Sequence, residues 1–400
     1  MMKIGIVPLS SEISGENAKE QFLGKLKERG IETEEKERAN PEEIVFFAVI
    51  TGGSEQKFKR IYDKFSPPYL ILYDAFNNSL PAAMEILSFL NKQGLKGELI
   101  DVNNLSEKLI EEKFPLHGKT LGLIGEPSDW LIASTYPDEI YKSTFKINVV
   151  HVPLEEVFAI FRKTNDSKAK PVAEEIMKRA SGIYGMNEEA MIRAVKFYIA
   201  LKEIIEKYAL NYITVRCFDI IEPLNTTGCI ALSELNGEGI VAGCEGDVPA
   251  ALSMAFLKKV SSRPAFMANV SYIRENAENL TVNFAHCTIP TVITEKFSLR
   301  THFESGKGVG IEGKLKEGDV TILRIGGKEM KKAVIMSGKA VETPFSAMRC
   351  RSQLNVETSK NAKDYFLKMP LGNHHVIAKG NYVKILGEML GKMGMETKGF

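Results

Sequence analysis

The stretch that decides the fold runs from Gly239 to Pro290 and reads GIVAGCEGDVPAALSMAFLKKVSSRPAFMANVSYIRENAENLTVNFAHCTIP. Its first apolar run, Gly239–Gly243, predicts a buried strand, and two carboxylates, Glu245 and Asp247, follow directly. A helix is predicted from Pro249 to about Val260, because proline is tolerated in the first turn, where its missing N–H is harmless. The stretch thus predicts a strand, a polar turn and a helix in succession.

Two further strands are predicted in the same stretch. Pro264–Ala268 ends at Asn269, and Leu280–Ala285 ends at His286. In open α/β sheets, ligands bind where neighbouring strands end. We therefore expect Glu245, Asn269 and His286 to lie together at the edge of one parallel sheet.

The composition describes an ordinary globular protein and excludes several classes of function. A net charge of +1 gives no general field that would attract nucleic acid or a membrane surface. No apolar run approaches the roughly 20 residues of a membrane span. The cysteines are odd in number and form no CxxC motif, which predicts a reducing, cytoplasmic location. They stand at positions 217, 229, 244, 287 and 350.

The 400 residues predict two or three domains, since a single core rarely grows beyond about 250–300 residues. Alternating strand and helix patterns predict a first parallel α/β domain over 1–115. The pattern restarts near His117 and predicts a second α/β domain over 116–290, which carries most of the candidate site. Short strands split by glycine and charged turns predict an all-β domain over 291–400, a small barrel or a sandwich, with a C-terminal return segment.

The last third of the chain holds four of the six histidines, at positions 286, 302, 374 and 375. His302 and Glu304 alternate with Phe303, which predicts that both side chains share one face of a strand. Each candidate also has a structural interpretation. Glu245 or Asp247 can cap the helix that follows, and His286 can be a core imidazole. Asn269 can be a turn residue, and His374 with His375 can form a polar turn.

A carboxylate, an amide and two imidazoles suit a divalent ion of intermediate hardness such as Mn²⁺. Such an ion acts as a Lewis acid toward hydroxyl and carbonyl oxygens. Cys244 and Cys287 flank these groups, but we expect them to be packing residues, because no helix or basic residue lies close in sequence to lower their pKa. The residues by themselves therefore predict a metal site without a nucleophilic thiol.

Short motifs along nearly the whole chain resemble the L-fucose isomerase and L-arabinose isomerase superfamily, and its compact fucose isomerase-related branch in particular. The motifs that carry the resemblance are Thr51-Gly52-Gly53, Asn78-Ser79-Leu80-Pro81-Ala82, Gly122-Leu123-Ile124-Gly125-Glu126, Cys244-Glu245-Gly246-Asp247, His286-Cys287-Thr288, His302-Phe303-Glu304-Ser305-Gly306, Cys350-Arg351-Ser352-Gln353 and Gly372-Asn373-His374-His375.

The resemblance implies two α/β domains, the first of them flavodoxin-like, followed by a β-barrel. It further implies Mn²⁺ or another divalent cation, a sugar substrate, aldose–ketose isomerisation through an enediol, and a homo-oligomer, either a trimer or a hexamer. The expected metal ligands are Glu245, Asn269, His286 and His374. The expected proton-transfer residues are Glu245, Glu304 and Asp247, and the expected substrate contacts are His302, Asn373, His375 and Trp130.

Asn269 departs from the pattern of the family, in which a carboxylate stands at this position. An amide can ligate a metal through its carbonyl oxygen, but it cannot accept the proton that an isomerase moves between C1 and C2. Two alternatives therefore stay open. One is metal-assisted lyase or epimerase chemistry on a related hydroxy-carbonyl compound, and the other is a non-catalytic sugar-binding protein.

Overall fold

The computed structural model describes residues 2–12 and 15–400. The chain separates into two compact units. The first comprises Met1–Gly118 and Asp138–Asn148, and the second comprises Lys119–Pro137 and Val149–Phe400.

The first unit contains one parallel sheet with helical crossovers. Its strands are β1 (Met2–Leu9), β2 (Ile31–Glu35), β3 (Val45–Val49), β4 (Tyr69–Tyr73) and β5 (Gly97–Asp101), in the order β2-β1-β3-β4-β5. Its helices are α1 (Gly15–Glu28), α2 (Glu55–Ile61), α3 (Ser79–Lys92), α4 (Glu107–Lys113) and α5 (Asp138–Phe145). The predicted parallel α/β architecture of this part is confirmed.

Two details of the first unit differ from the sequence prediction. The edge strand β2 was not predicted, because its sequence IETEE is charged and only Ile31 is buried. The sequence pattern also predicts a helix from Ser11 to Arg29, closed by Gly30, and its part at Ile13 and Ser14 lies outside the described residues.

The second unit begins with a four-stranded parallel sheet. Its strands are β6 (Thr120–Ile124), β7 (Asn148–Val152), β9 (Tyr212–Val215) and β10 (Val241–Cys244), in the order β10-β9-β6-β7. The helices in this part of the chain are α6 (Leu154–Lys163), α7 (Asp166–Arg179), α8 (Glu188–Lys207), α9 (Ile221–Leu224), α10 (Cys229–Gly237) and α11 (Val248–Ser261). The short strand β8 (Ile183–Tyr184) pairs with β13 (Thr294–Arg300), which also pairs with β14 (Gly310–Leu315).

The remaining strands of the second unit form a mixed sheet whose pairings close on themselves. They are β11 (Phe266–Glu275), β12 (Leu280–His286), β15 (Gly318–Gly326), β16 (Lys332–Val341), β17 (Ser352–Thr358), β18 (His374–Lys379) and β19 (Glu396–Gly399). The order is β15-β18-β11-β12-β17-β16-β19, and β15 also pairs with β16. Hydrogen-bonded pairs thus run round a ring of six strands, with β19 attached to β16. Two helices, α12 (Lys363–Lys368) and α13 (Val383–Lys392), belong to the same part of the chain.

The placement of β11 and β12 corrects the sequence prediction. We expected both strands in the parallel sheet with β10, yet they pair antiparallel with each other and belong to the ring. The reason is the short turn between Glu275 and Leu280, in which the N–H of Asn276 donates to the carbonyl of Asn279. Parallel neighbours need a crossover of a dozen residues or more. The ring therefore takes strands from both sides of the predicted boundary at 290.

No helix in the described ranges is both long and apolar enough to cross a membrane.

Candidate metal centre

Glu245 occupies the turn between β10 and α11 in a left-handed backbone conformation. Its φ is +63°, a region that costs a non-glycine residue about 1–2 kcal/mol and that is often found at functional sites. The carbonyl of Glu245 accepts a hydrogen bond from the N–H of Ser128 at 2.9 Å, and the N–H of Gly246 donates to Val215 at 3.1 Å. A Cβ at Gly246 would lie 2.7 Å from Cα of Pro127, so glycine is required there. The turn is fixed from both sides.

Two imidazoles approach the carboxylate of Glu245 from the ring. Nε2 of His286 and Nε2 of His374 each lie 3.4 Å from Oε1 of Glu245. The three residues are buried, and their ligand atoms all lie within 4.8 Å of one another. The strand register explains the convergence, because Asn269 on β11 pairs with His374 on β18 and with Ala285, the residue before His286, on β12.

The three side chains fit a shared cation. Within the described part of the chain, neither Nε2 has a hydrogen-bond partner, and the Nδ1 of His286 also lacks one. A buried polar atom left without a partner costs about 1–3 kcal/mol. A bound divalent ion would satisfy both imidazoles and the carboxylate, and this donor set suits ions of intermediate hardness.

Asp247 lies behind His374 rather than in front of the candidate ion. Nδ1 of His374 donates to Oδ2 of Asp247 at 2.9 Å, and the N–H of Ala250 donates to Oδ1 at 2.7 Å, so Asp247 also caps α11. The guanidinium of Arg324 lies 3.1 Å from Oδ2 of Asp247 and donates to Ser134 at 2.6 Å. A carboxylate that holds the far nitrogen of a histidine is a common support for a metal-ligating imidazole.

Arg324 was not predicted from the sequence, although a signal was present. It is a single cation within β15 between Leu323 and Ile325, and its side chain is completely buried. A buried arginine in an apolar strand needs a carboxylate partner. The sequence alone did not reveal that Asp247 is that partner, because 77 residues separate the two.

The electrostatics of the cluster follow from these contacts. Burial would raise the pKa of Glu245, but His374 and His286 outweigh it and hold the pKa well below its usual range. Arg324 and His374 likewise overcome burial and lower the pKa of Asp247. Burial opposes the charged form of His374, but Glu245 and Asp247 prevail and raise its pKa to about 9. Both carboxylates are therefore ionised near neutral pH.

Trp130, which is expected to contact substrate, contacts Oε2 of Glu245, the carboxylate oxygen that does not face the two imidazoles. Its indole Nε1 donates to Oε2 of Glu245 at 2.7 Å, and its ring packs edge-on against Phe218 with centroids 5.0 Å apart. The side chain is half-exposed. It therefore forms part of an accessible wall beside the carboxylate.

His302 and Glu304 lie near the cluster, but not on a strand as predicted. β13 ends at Arg300, and the N–H of Gly306 donates to the carbonyl of His302 at 3.0 Å, which closes a turn. The prediction of a shared strand face was wrong, because this turn begins before the alternation of polar residues ends. Both side chains line one pocket together with Glu245 and His286. Burial lowers the pKa of His302 to about 4, and burial with the charge of Glu245 raises the pKa of Glu304.

The two asparagines expected in the site contact each other. Nδ2 of Asn373 donates to Oδ1 of Asn269, and Asn269 lines the same pocket. Asn269 is not at the end of its strand, as predicted, because β11 continues to Glu275. Its side chain nevertheless lies between the strands that carry the two imidazoles.

His375 is not brought to the cluster. It is buried, its Nδ1 donates to the carbonyl of Asn373 at 3.0 Å, and its Nε2 accepts from the hydroxyl of Tyr365 at 2.8 Å. Successive side chains of a strand point to opposite faces, so His374 and His375 cannot both face the same site. Burial lowers the pKa of His375 to about 3.

A second cavity, of about 350 Å³, lies elsewhere in the same unit. It is lined by residues of β13, β14, β17 and the segment after β16, among them Lys296, Glu312 and Phe345. Its lining contains no histidine or cysteine. The histidines and cysteines of the second unit that line a cavity are therefore found beside Glu245 and not in this larger cavity.

The known proteins to which this chain is similar include sugar isomerases. None of the family models searched matches the chain. The chain is similar to the sulfoquinovose isomerases of Priestia aryabhattai and of Priestia megaterium (strain ATCC 12872 / QMB1551), with 24% identity over 290 residues in each case. That alignment covers 70% of this chain and 64% of each relative. The sulfoquinovose isomerase of Alkalicoccus urumqiensis is 27% identical over 232 residues, 56% of this chain and 52% of that protein. The chain thus spans less than two thirds of the length of the curated relatives it matches.

Proposed function

We propose that this protein is a divalent-cation-dependent sugar isomerase that interconverts an aldose and a ketose. The observation that carries the proposal is the convergence of Glu245, His286 and His374, with both Nε2 atoms 3.4 Å from one carboxylate oxygen. The similarity to sulfoquinovose isomerases supports the reaction class. Mn²⁺ is the cation proposed, because the donor set combines imidazole with carboxylate.

The cation, when bound, would supply Lewis-acid polarisation of the hydroxyl and carbonyl oxygens of the sugar. Glu245, His286 and His374 would hold it, with Asn269 as a further oxygen donor. Asp247 is better suited to positioning than to proton transfer, because its oxygens already accept bonds from His374, Ala250 and Arg324.

Glu304 is the proton-transfer residue we favour. Glu245 is a weak base, since its pKa is held low and Trp130 occupies its second oxygen. The pKa of Glu304 is raised instead, and its side chain lines the same pocket. A base with a raised pKa exchanges protons more readily near neutral pH. His302 and Asn373 are proposed to contact the hydroxyl groups of the sugar, and Trp130 to line the pocket entrance.

The fold supports the same proposal. The closed ring of pairings supports a small β-barrel beside the second α/β sheet, as in the L-fucose isomerase and L-arabinose isomerase superfamily that the sequence motifs resemble. A cytoplasmic homo-oligomer, trimer or hexamer, belongs to the same proposal.

The test uses the purified full chain, stripped with EDTA and then given Mn²⁺. A panel of aldoses that includes sulfoquinovose, the sugar in the relatives' names, is incubated in D₂O and followed by NMR for exchange of the C2 proton and for ketose. We expect exchange that requires Mn²⁺ and disappears in Glu245→Gln. Glu126→Gln, an exposed carboxylate in a neighbouring loop, is the control. Neither exchange nor ketose with any sugar at saturating Mn²⁺ would end the isomerase proposal.

Asn269 favours one alternative, a metal-assisted lyase or epimerase acting on a related compound. With an amide at position 269, the proposed metal ligands include one carboxylate fewer than in the family. Fewer groups can then accept a proton from the substrate. Asn269→Asp separates the two proposals. A gain of isomerase activity in this variant, where the unmodified chain has little, would favour the alternative.

A further inference from the structure

The five cysteines of the chain all line the pocket that contains Glu245 and His286. They are spread over more than 130 positions of the sequence, between Cys217 and Cys350. Two pairs of thiols are in hydrogen-bond contact, Cys217 with Cys244 and Cys287 with Cys350. The proposed function uses none of these sulfur atoms.

The two pairs differ in access and in backbone freedom. Cys217 and Cys244 are both buried, and Cys244 is the last residue of β10, whose residues are all buried. Cys350 is only partly buried and lies between β16 and β17, in a segment without helix or strand. A small oxidant can therefore reach Cys350, whereas the first pair is shielded.

We propose that Cys287 and Cys350 are a redox modification site that a peroxide converts into a disulfide. The Cys350 thiol gives up its proton as its sulfur attacks the peroxide, the sulfur gains an S–O bond as the O–O bond breaks, and the released hydroxide takes up that proton and leaves as water. The Cys287 sulfur then attacks the sulfenic sulfur, forming S–S and breaking S–O, and a second water leaves. Two thiols are oxidised and one peroxide is reduced.

The strand register brings Cys287 and Cys350 close enough for a disulfide to form after a movement of the chain. His286 pairs with Ser352 in the antiparallel β12–β17 ladder, so the residue after His286 and the residue two before Ser352 lie near each other at the end of the ladder. A disulfide requires Cα atoms about 4.4–6.8 Å apart and an S–S distance of about 2.05 Å. The carbonyl of Cys287 is held by the N–H of Ile311 at 3.1 Å, so the movement falls on the segment of Cys350.

That movement reaches the turn of His302 and Glu304. Arg351, next to Cys350, donates from Nε to the carbonyl of Thr301 at 2.9 Å, and its guanidinium lies 5.6 Å from the ring centroid of Phe303. Oxidation would therefore displace the pocket residues on this turn, while His286 keeps its place in the ladder. The disulfide is expected to block turnover and leave the affinity for Mn²⁺ unchanged.

The test treats the full chain with hydrogen peroxide, quenches it with catalase, and alkylates free thiols with iodoacetamide in denaturant. Peptide mass spectrometry should find Cys287 linked to Cys350, with the other three cysteines alkylated, and a reductant should remove the link. The Cys217–Cys244 pair is the internal control and should stay reduced. Mn²⁺ titration by calorimetry before and after oxidation provides the functional readout.

Cys350→Ser, a change at a partly exposed position, should abolish the link and leave all remaining cysteines alkylated. Full alkylation of all five cysteines in the oxidised unmodified chain would overturn the proposal, as would a Cys217–Cys244 link or overoxidised, unlinked Cys350. Loss of Mn²⁺ binding on oxidation would overturn the inference that the turn, rather than the metal cradle, moves.

Discussion

Asp247 and His374 lie 127 residues apart in the chain, yet Nδ1 of His374 donates to Oδ2 of Asp247 at 2.9 Å. The same histidine presents its other nitrogen to Glu245. Asp247 thus sets the orientation of the imidazole ring and directs Nε2 toward the carboxylate of Glu245. The first prediction follows from this contact.

Asp247→Asn should weaken Mn²⁺ binding about 10–100-fold, because an amide no longer favours the imidazole form with Nε2 free for the metal. The measurement is calorimetric titration of the EDTA-stripped protein. Asp219→Asn, which removes a partly exposed carboxylate paired with Arg216, is the control and should bind normally. Unchanged affinity in Asp247→Asn would show that this carboxylate does not support the metal site.

Glu304→Gln should reduce C2 proton exchange about 10²–10⁴-fold and leave Mn²⁺ affinity intact, because Glu304 is proposed as a base and not as a ligand. In the unmodified enzyme the rate should fall as pH is lowered through the raised pKa of Glu304, since the base must be ionised. The pH profile with the best aldose of the panel provides the check. Full activity of the variant would return the proton-transfer role to Glu245.

Trp130 is the single tryptophan of the chain and contacts Glu245 directly, so its fluorescence should respond when Mn²⁺ binds. Trp130→Phe keeps an aromatic ring against Phe218 but loses the indole N–H. We expect Mn²⁺ binding in this variant, without the fluorescence signal and with slower exchange. An unmodified protein that binds Mn²⁺ in calorimetry without a change in emission contradicts the contact.

Gly246→Ala should destabilise the protein by more than the cost of its backbone conformation. At φ +70° that cost is about 1–2 kcal/mol, and the added Cβ would also meet Cα of Pro127 at 2.7 Å. Gly94→Ala is a matched control, with the same φ of +70° and no atom within 4 Å of the added Cβ. In urea unfolding, the free energy of unfolding of Gly246→Ala should be well below that of the Gly94→Ala control. Equal free energies would argue against the tight turn.

His375 should make the protein sensitive to acid. Its pKa is lowered from 6.5 to about 3 in the fold, so the unfolded chain binds a proton that the folded chain refuses. The stabilisation from the neutral ring is present above pH 6.5 and is lost as pH falls toward 3. Urea unfolding at pH 7 and pH 5 should show a smaller loss of stability in His375→Phe than in the unmodified chain. Identical losses would remove His375 as the cause.

Much of the architecture could be predicted from periodicity alone. The continuous apolar runs of β3, β4 and β6 identify buried parallel strands, and Pro249 in its first turn identifies α11. Edge and hairpin elements were harder. The charged sequence of β2 resembles a loop, and β11–β12 resembles two parallel strands unless the turn at Asn276 is recognised as too short for a crossover.

The sequence predicted which residues belong to the candidate site better than it predicted where their side chains lie. Glu245 and His286 were predicted because polar residues follow apolar runs, and His374 was predicted from the resemblance to the family. The structure brings these three together. Asp247 and His375 have side chains that could ligate a metal or contact a substrate. Asp247 instead lies behind His374, and strand alternation directs His375 away from the candidate metal ligands. The partnership of Arg324 with Asp247 depends on a contact between β15 and α11 that no local pattern encodes.

The two imidazoles and the carboxamide stand on three adjoining strands, β18, β11 and β12, whereas the acidic donor comes from a turn after a different sheet. Backbone hydrogen bonds between strands thus fix the separation of the imidazoles, whereas the position of the acid is set by the separate contacts of its own turn. A slight displacement of the loop after β10 would therefore resize the cage for a smaller or larger ion. For the cation proposed above, substitutions in this turn should therefore change the preferred ionic radius without rebuilding the strands that carry the nitrogen donors.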